Sequence, residues 1–241
     1  GLERLVKEGR GGLYCVTLAL SIFTNYYISI MICIFLVLYF VLLMALEKDW
    51  VHNIWKKGIA GYFALYSLLA GGMAAILLIP EVCAILRTDF GDMNFPEKVE
   101  SYFSVLDMLA RHCMCVYTER GLDHWPNIYC GSAVLMLIPM YLMNRGISIR
   151  EKFCRMALAG FLLLSFSTNL LDFIWHGLNY PDSLPARQSF IYIFLVLTMC
   201  YEAWLHVREA EEQQILYGYL CSVGFFLFCE KFVEHEDFYL G

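Results

Sequence analysis

Hydrophobic residues in this chain come in blocks rather than at helical or strand spacing. The first block, "LYCVTLALSIFTNYYISIMICIFLVLYFVLLMAL" (13–46), carries no charge, and about 20 consecutive apolar residues cross the hydrocarbon core of a bilayer. Further blocks are "GIAGYFALYSLLAGGMAAILLIP" (58–80), "SAVLMLIPMYLM" (132–143), "MALAGFLLLSFSTNLLDFIW" (156–175), "FIYIFLVLTMCYEAWL" (190–205) and "ILYGYLCSVGFFLFC" (215–229). The pattern predicts an all-α fold, a polytopic transmembrane helical bundle. The chain is treated as one partial membrane domain over 1–241.

The first block is too long for one span and barely long enough for two. Its middle, "FTNYYIS", has turn-forming Asn25 beside two tyrosines that favour the membrane interface. A tight hairpin with its tip at Asn25–Tyr27 fits, and so does one long tilted helix. Charge favours the hairpin. Arg4, Lys7 and Arg10 precede the block and Lys48, Lys56 and Lys57 follow it, and basic flanks stay in the cytoplasm.

Carried along the chain, this rule gives about seven spans, with the basic stretch "NRGISIREKFCR" (144–155) as a cytoplasmic loop. Gly71 and Gly72 in the 58–80 span would let a neighbouring helix come close. Two loops then face outward, about 81–128 and about 175–188. The first contains "NFPEKVESYFSVLDMLARHCMC", where Asn94 and Glu97 resemble a capping box and Pro96 sits in the first turn. Val99, Tyr102, Phe103, Leu106, Leu109, Ala110 and Cys113 recur at 3 and 4 spacing, predicting an amphipathic helix that lies in the interface or roofs a cavity.

At 60% hydrophobic residues and a mean hydropathy of +0.59, the composition excludes an ordinary soluble domain. A net charge of −6, with no P-loop, dinucleotide fingerprint or nucleophile elbow, excludes nucleic acid as a partner and a cytosolic nucleotide as an energy source. The ten cysteines are scattered, and none has histidine partners at metal-ligand spacing, so no metal site is assigned. Cys83, Cys113, Cys115 and Cys130 fall outside on this topology, where disulfides or free thiols are both compatible.

Four places carry candidate chemistry. Asp172 and His176 are four residues apart at one end of a span, sharing a helix face if the helix reaches that far. They line a cavity and handle a proton or a sugar hydroxyl, or they are a solvated span end and an interface anchor. Asp123 and His124, beside Trp125, form a possible sugar-facing cluster. Asp182 lies in the turn "PDSLPAR", which Pro181 and Pro185 stiffen. Arg187 ends that turn where the chain enters the membrane. Its planar fork suits a phosphate at headgroup height, although snorkelling or a salt bridge to Asp182 or Asp172 fits too. Glu202 reads as structural.

The stretches "GLERLVKEGRGGLY", "SIFTNYYISIMICIFLVLYF" and "HGLNYPDSLPARQSF" resemble the bacterial YfhO membrane proteins, placed among the C-type (GT-C) glycosyltransferases. Pro185, Arg187, Ser189 and Phe190 match the family pattern; Ala186 and Gln188 stand where aromatics are expected. The resemblance implies transfer of a sugar from a polyprenyl-phosphate donor to a cell-envelope polymer, such as lipoteichoic acid, outside the bacterial cytoplasmic membrane. It implies a carboxylate base in a first outer loop, expected upstream of Gly1, so the chain reads as an internal fragment and the catalytic base is unassigned. Arg187 would bind the donor phosphate, with Asp172, His176, Asp182, Asp123 and His124 on the acceptor side. The implied partners are membrane lipids, the lipid-linked sugar and the polymer; no other cofactor is implied, and a divalent metal is left open. A transporter or flippase for a lipid-linked precursor is the alternative, expected to show broken helices and mid-bilayer charges. A scaffold without a charged cavity ranks third.

Overall fold

The computed structural model describes residues 1–47, 58–87, 95–114, 125–179 and 186–232. Every regular element among them is helical; the one extended pairing is an isolated antiparallel bridge between Ser101 and Thr168. The chain divides into two compact units, Gly1–Phe95 with Phe173–Tyr180, and Pro96–Asp172 with Pro181–Gly241.

The first unit opens with α1 (Leu2–Glu8), which buries Leu2, Leu5 and Val6 and ends at Gly9. There the backbone turns left-handed at φ 71°, a conformation glycine adopts without strain, and the Gly9 amide donates to the Leu5 carbonyl. α2 (Gly12–Thr24) and α3 (Tyr26–Leu46) are separated by a single extended residue, Asn25, whose side chain caps α3 by accepting from the Ile28 amide. Ser21 and Ser29 hydroxyls meet at 3.0 Å beside this turn, while the Tyr39 hydroxyl donates to Glu3 at 2.8 Å near the other end of α3. Buried Tyr14 and Leu18 of α2 share a core with Phe40, Leu43 and Met44 of α3. The block is therefore a helical hairpin and not one long helix.

α4 (Ile59–Met73) packs on α2, with Ser67 bonded to the Tyr14 hydroxyl at 2.8 Å, while its Phe63 stacks on Phe40 of α3 at 4.4 Å. A side chain at Gly11 would run into the Tyr66 ring, so glycine there sets how closely the helices approach. α5 (Ala75–Ile85) follows α4 after a 78° bend at Ala74. The helix thus continues five residues past the expected span end at 80, and the glycine pair acts differently from its expected role. Added side chains at Gly71 and Gly72 would meet open space among the described residues. They precede the bend, where their low helix propensity makes bending cheap.

The second unit is built on α7 (Ala133–Met143), α8 (Ile149–Ser167), α10 (Ser189–Leu205) and α11 (Glu212–Phe232), with α7 packed on α10 and α11 and α10 on α8. On α11, Gly218 lies against α7 so closely that an added Cβ would stand 3.0 Å from the Met136 carbonyl oxygen. α8 begins inside the stretch expected to be a basic loop. Ser148 accepts from the Glu151 amide at its start, and Arg150, Lys152 and Arg155 lie in its first two turns.

The amphipathic helix expected from residue 94 is much shorter. Asn94 lies outside the described residues, and helix begins only at α6 (Val105–Leu109), capped by Ser104 and followed by a 3-10 turn at Ala110–His112. Residues 98–103 instead pair with 167–169, the Tyr102 amide donating to the Ser167 carbonyl and the Asn169 amide to Glu100. That partner lies more than sixty residues away and outweighs the local 3–4 periodicity. Val99 and Leu106, expected on the buried face, are exposed, whereas Cys113 and Ala110 are buried.

Among the described residues one helix, α3, is long and apolar enough to cross a membrane, or two if α4 and α5 form one broken span. α2, α7 and α10 are apolar but shorter.

Candidate functional site

α9 (Asn169–Trp175) carries the Asp172 carboxylate, which is 1% exposed. That burial rules out the solvated span end and makes Asp172 an interior carboxylate. Asn169 prepares the approach to it. Its side chain accepts from the Glu100 amide and donates to the Lys98 carbonyl, which holds the 98–103 segment. Ser167 joins in, donating to the Phe103 carbonyl at 2.6 Å and accepting from Ser101.

α9 ends at Trp175, and His176 follows in a turn closed by Gly177, whose φ of 73° again calls for glycine. His176 is buried, its ring 6.2 Å from Tyr27. Asp172 and His176 thus fall in different compact units, and the helix stops just short of putting both on one face. Both engage protein neighbours.

Arg187 sits at the mouth of α10. Ala186 before it holds a left-handed φ of 53° and is buried. Gln188 after it is fully buried, and both polar atoms of its amide lack a hydrogen-bond partner among the described residues. An unsatisfied buried amide costs on the order of 1–3 kcal/mol. Arg187, half-buried, engages protein groups as well. Gln188 is the N-cap of α10 yet gives no side-chain cap, so the positive end of that helix is left to other partners. Asp123, His124 and Asp182 lie outside the described residues. Trp125 does not stand open to a sugar on both faces, since Phe103 stacks on it at 4.1 Å.

Two clusters escaped the sequence. Arg155 is 9% exposed and lies 2.7 Å from Glu151 and 2.8 Å from Glu202 on α10, so Glu202 is held in an ion pair with a residue expected in a loop. His112 is buried against Tyr192, its Nε2 at 2.8 Å from the hydroxyl and its Nδ1 at 3.0 Å from the Leu109 carbonyl. A carbonyl only accepts, so Nδ1 carries the proton and Nε2 accepts from Tyr192. Burial holds the imidazole below its ordinary value, keeping it neutral. The only sequence signal was a histidine amid apolar residues. Arg111 beside it ties the loop down, donating to the Pro126 carbonyl and the Asn127 side chain.

No cluster of three or more histidine, cysteine or acidic groups suited to a metal occurs among the described residues. The described fold is all-helical with buried polar side chains, and one of its helices is long and apolar enough to cross a membrane. The chain belongs to the family described as bacterial membrane protein YfhO, which it matches over residues 1–239. No curated protein and no solved structure matches it.

Proposed function

We propose that the chain is part of a membrane glycosyltransferase that moves a sugar from a polyprenyl-phosphate donor to a cell-envelope polymer such as lipoteichoic acid, outside the cytoplasmic membrane. The observation that carries this reading is the turn entering α10. Arg187 supplies a cationic fork, the Gln188 amide is buried beside it with its hydrogen-bonding capacity unused among the described residues, and the helix N-terminus adds its partial positive charge. A phosphate would give the Gln188 amide a partner, and a cation there steadies the leaving phosphate as the glycosyl bond breaks. Asp172 and His176, with Asp182, Asp123 and His124, serve the acceptor side. None of these residues is assigned the base that deprotonates the acceptor hydroxyl. The topology that accompanies this reading has about seven crossings, with the shorter helices as tilted or partial spans.

One observation favours a transporter or flippase instead. The 78° break between α4 and α5 is a feature of transporter helices, and the buried carboxylate of Asp172 suits that class. Complementation separates the two. In a strain lacking the full-length gene, wild type should restore sugar on the polymer, and Arg187→Ala at equal membrane level should not. Arg187→Lys should restore little, because a point charge does not reproduce the fork. Unchanged glycosylation with Arg187→Ala removes Arg187 from the site. An unchanged polymer on deletion of the whole gene moves the transporter to the front.

A further inference from the structure

The second unit contains a cavity of about 360 Å³ between α7, α8, α10 and α11, roofed by the 3-10 turn that follows α6. Its volume falls in the range of small-molecule sites, and its lining is apolar apart from one polar point, the bonded His112 and Tyr192. The cavity follows α10 from Tyr192 to Met199, about 10 Å at helical rise. Its rim includes exposed Met156 and Cys221, so the cavity opens outward there.

The polar point fixes the chemistry of the occupant. His112 is fully committed, donating through Nδ1 and accepting through Nε2. The Tyr192 hydroxyl spends its proton on His112 and keeps a lone pair, so this polar point offers an acceptor and no donor. The lining has no lysine or arginine that would pair with a phosphate or carboxylate. A neutral ligand that brings its own hydroxyl donor suits it. We propose that this cavity binds a neutral, hydroxyl-bearing membrane lipid of the diacylglycerol class, its chain lying along α10 and its hydroxyl donating to Tyr192. The site is separate from the Arg187 turn and needs no assumption about sugar transfer.

The test uses the full-length protein in phosphatidylcholine–phosphatidylglycerol vesicles, with a diacylglycerol carrying a chain diazirine and with its O-methyl ether. Irradiation should label peptides of α7, α10 and α11, with the hydroxyl probe favoured about fivefold over the ether, the size of one hydrogen bond. Tyr192→Phe should abolish that preference while retaining labelling. Ala159→Phe, which fills the cavity, should abolish labelling by both probes; where it fails to fold, the near-isosteric Tyr192→Phe keeps the test decisive. Unlabelled dioleoylglycerol should compete. Equal labelling by the two probes in wild type, a preference that survives Tyr192→Phe, or competition by undecaprenol but not by dioleoylglycerol would each overturn the proposal.

Discussion

The two units of this chain solve the same problem with different materials. In the first, the buried residues are almost all apolar. Aromatic stacking of Tyr14, Phe40 and Phe63 and close helix contact at Gly11 hold the hairpin, and Ser29 and His176 are its buried polar residues among those described. In the second, Arg111, His112, Arg155, Ser165, Ser167, Asp172 and Gln188 are all buried. Buried polar groups cost free energy unless paired. Most of these are paired across long sequence distances, which ties loop to helix and helix to helix. A protein that only needed to fill a membrane could do so as the first unit does. Local rules are broken where function or specificity demands it, so the contrast directs attention to the second unit.

Breaking a polar pairing there should have the largest effect. Arg155→Met leaves Glu151 and Glu202 without their shared cation, and removing one partner of a buried pair costs about 3–5 kcal/mol. Thermal unfolding in detergent should show a fall in Tm well beyond that of any exposed charge substitution. Next comes the α7–α11 contact. Gly218→Val should push side-chain atoms into Met136 and Met140 and destabilise by about 1–3 kcal/mol.

The His112–Tyr192 pair sharpens the contrast through pH. Tyr192 from α10 and the ring of Phe225 from α11 face the imidazole, and no cation or carboxylate among the described contacts does. Its folded pKa lies below its ordinary value near 6.5 because of burial. Above that ordinary value both states are neutral and stability is full. As pH falls below it, the unfolded chain takes up a proton that the folded chain refuses, and stability drops until the folded pKa is passed. Melting curves should therefore show Tm declining below about pH 6.5, and His112→Gln should flatten that decline. The smallest effect belongs to the first unit's surface. Lys7→Ala removes an exposed pair with Glu3 at 3.7 Å and should change stability by less than about 1 kcal/mol.

What could be read from the sequence was the part decided locally. Asn25 acts on its own neighbours, as turn and as cap, so the hairpin was legible. The extent of α8 was not, because charge assigned Arg155 to a loop while its fate was set by Glu202, 47 positions away on another helix. The segment 94–104 has a helical period, yet Ser167 and Asn169 offer it backbone partners that no local pattern discloses. Asp172 posed an even choice between water and interior, and only packing could settle it. Arg187 was visible through its prolines; Gln188 beside it stood out only as a departure from an expected aromatic, and its burial was not legible.

The central claim, that polar burial in the second unit serves chemistry as well as folding, is tested most directly by comparing one buried polar residue from each unit. Polymer glycosylation would be measured in the deletion strain carrying Asp172→Asn or Ser29→Ala, at equal membrane levels. Ser29 lies against Ser21 at 3.0 Å in the apolar hairpin, and Asp172 is the interior carboxylate of the second unit. The expected result is near wild-type glycosylation with Ser29→Ala and its loss with Asp172→Asn. Wild-type glycosylation with Asp172→Asn would contradict the account.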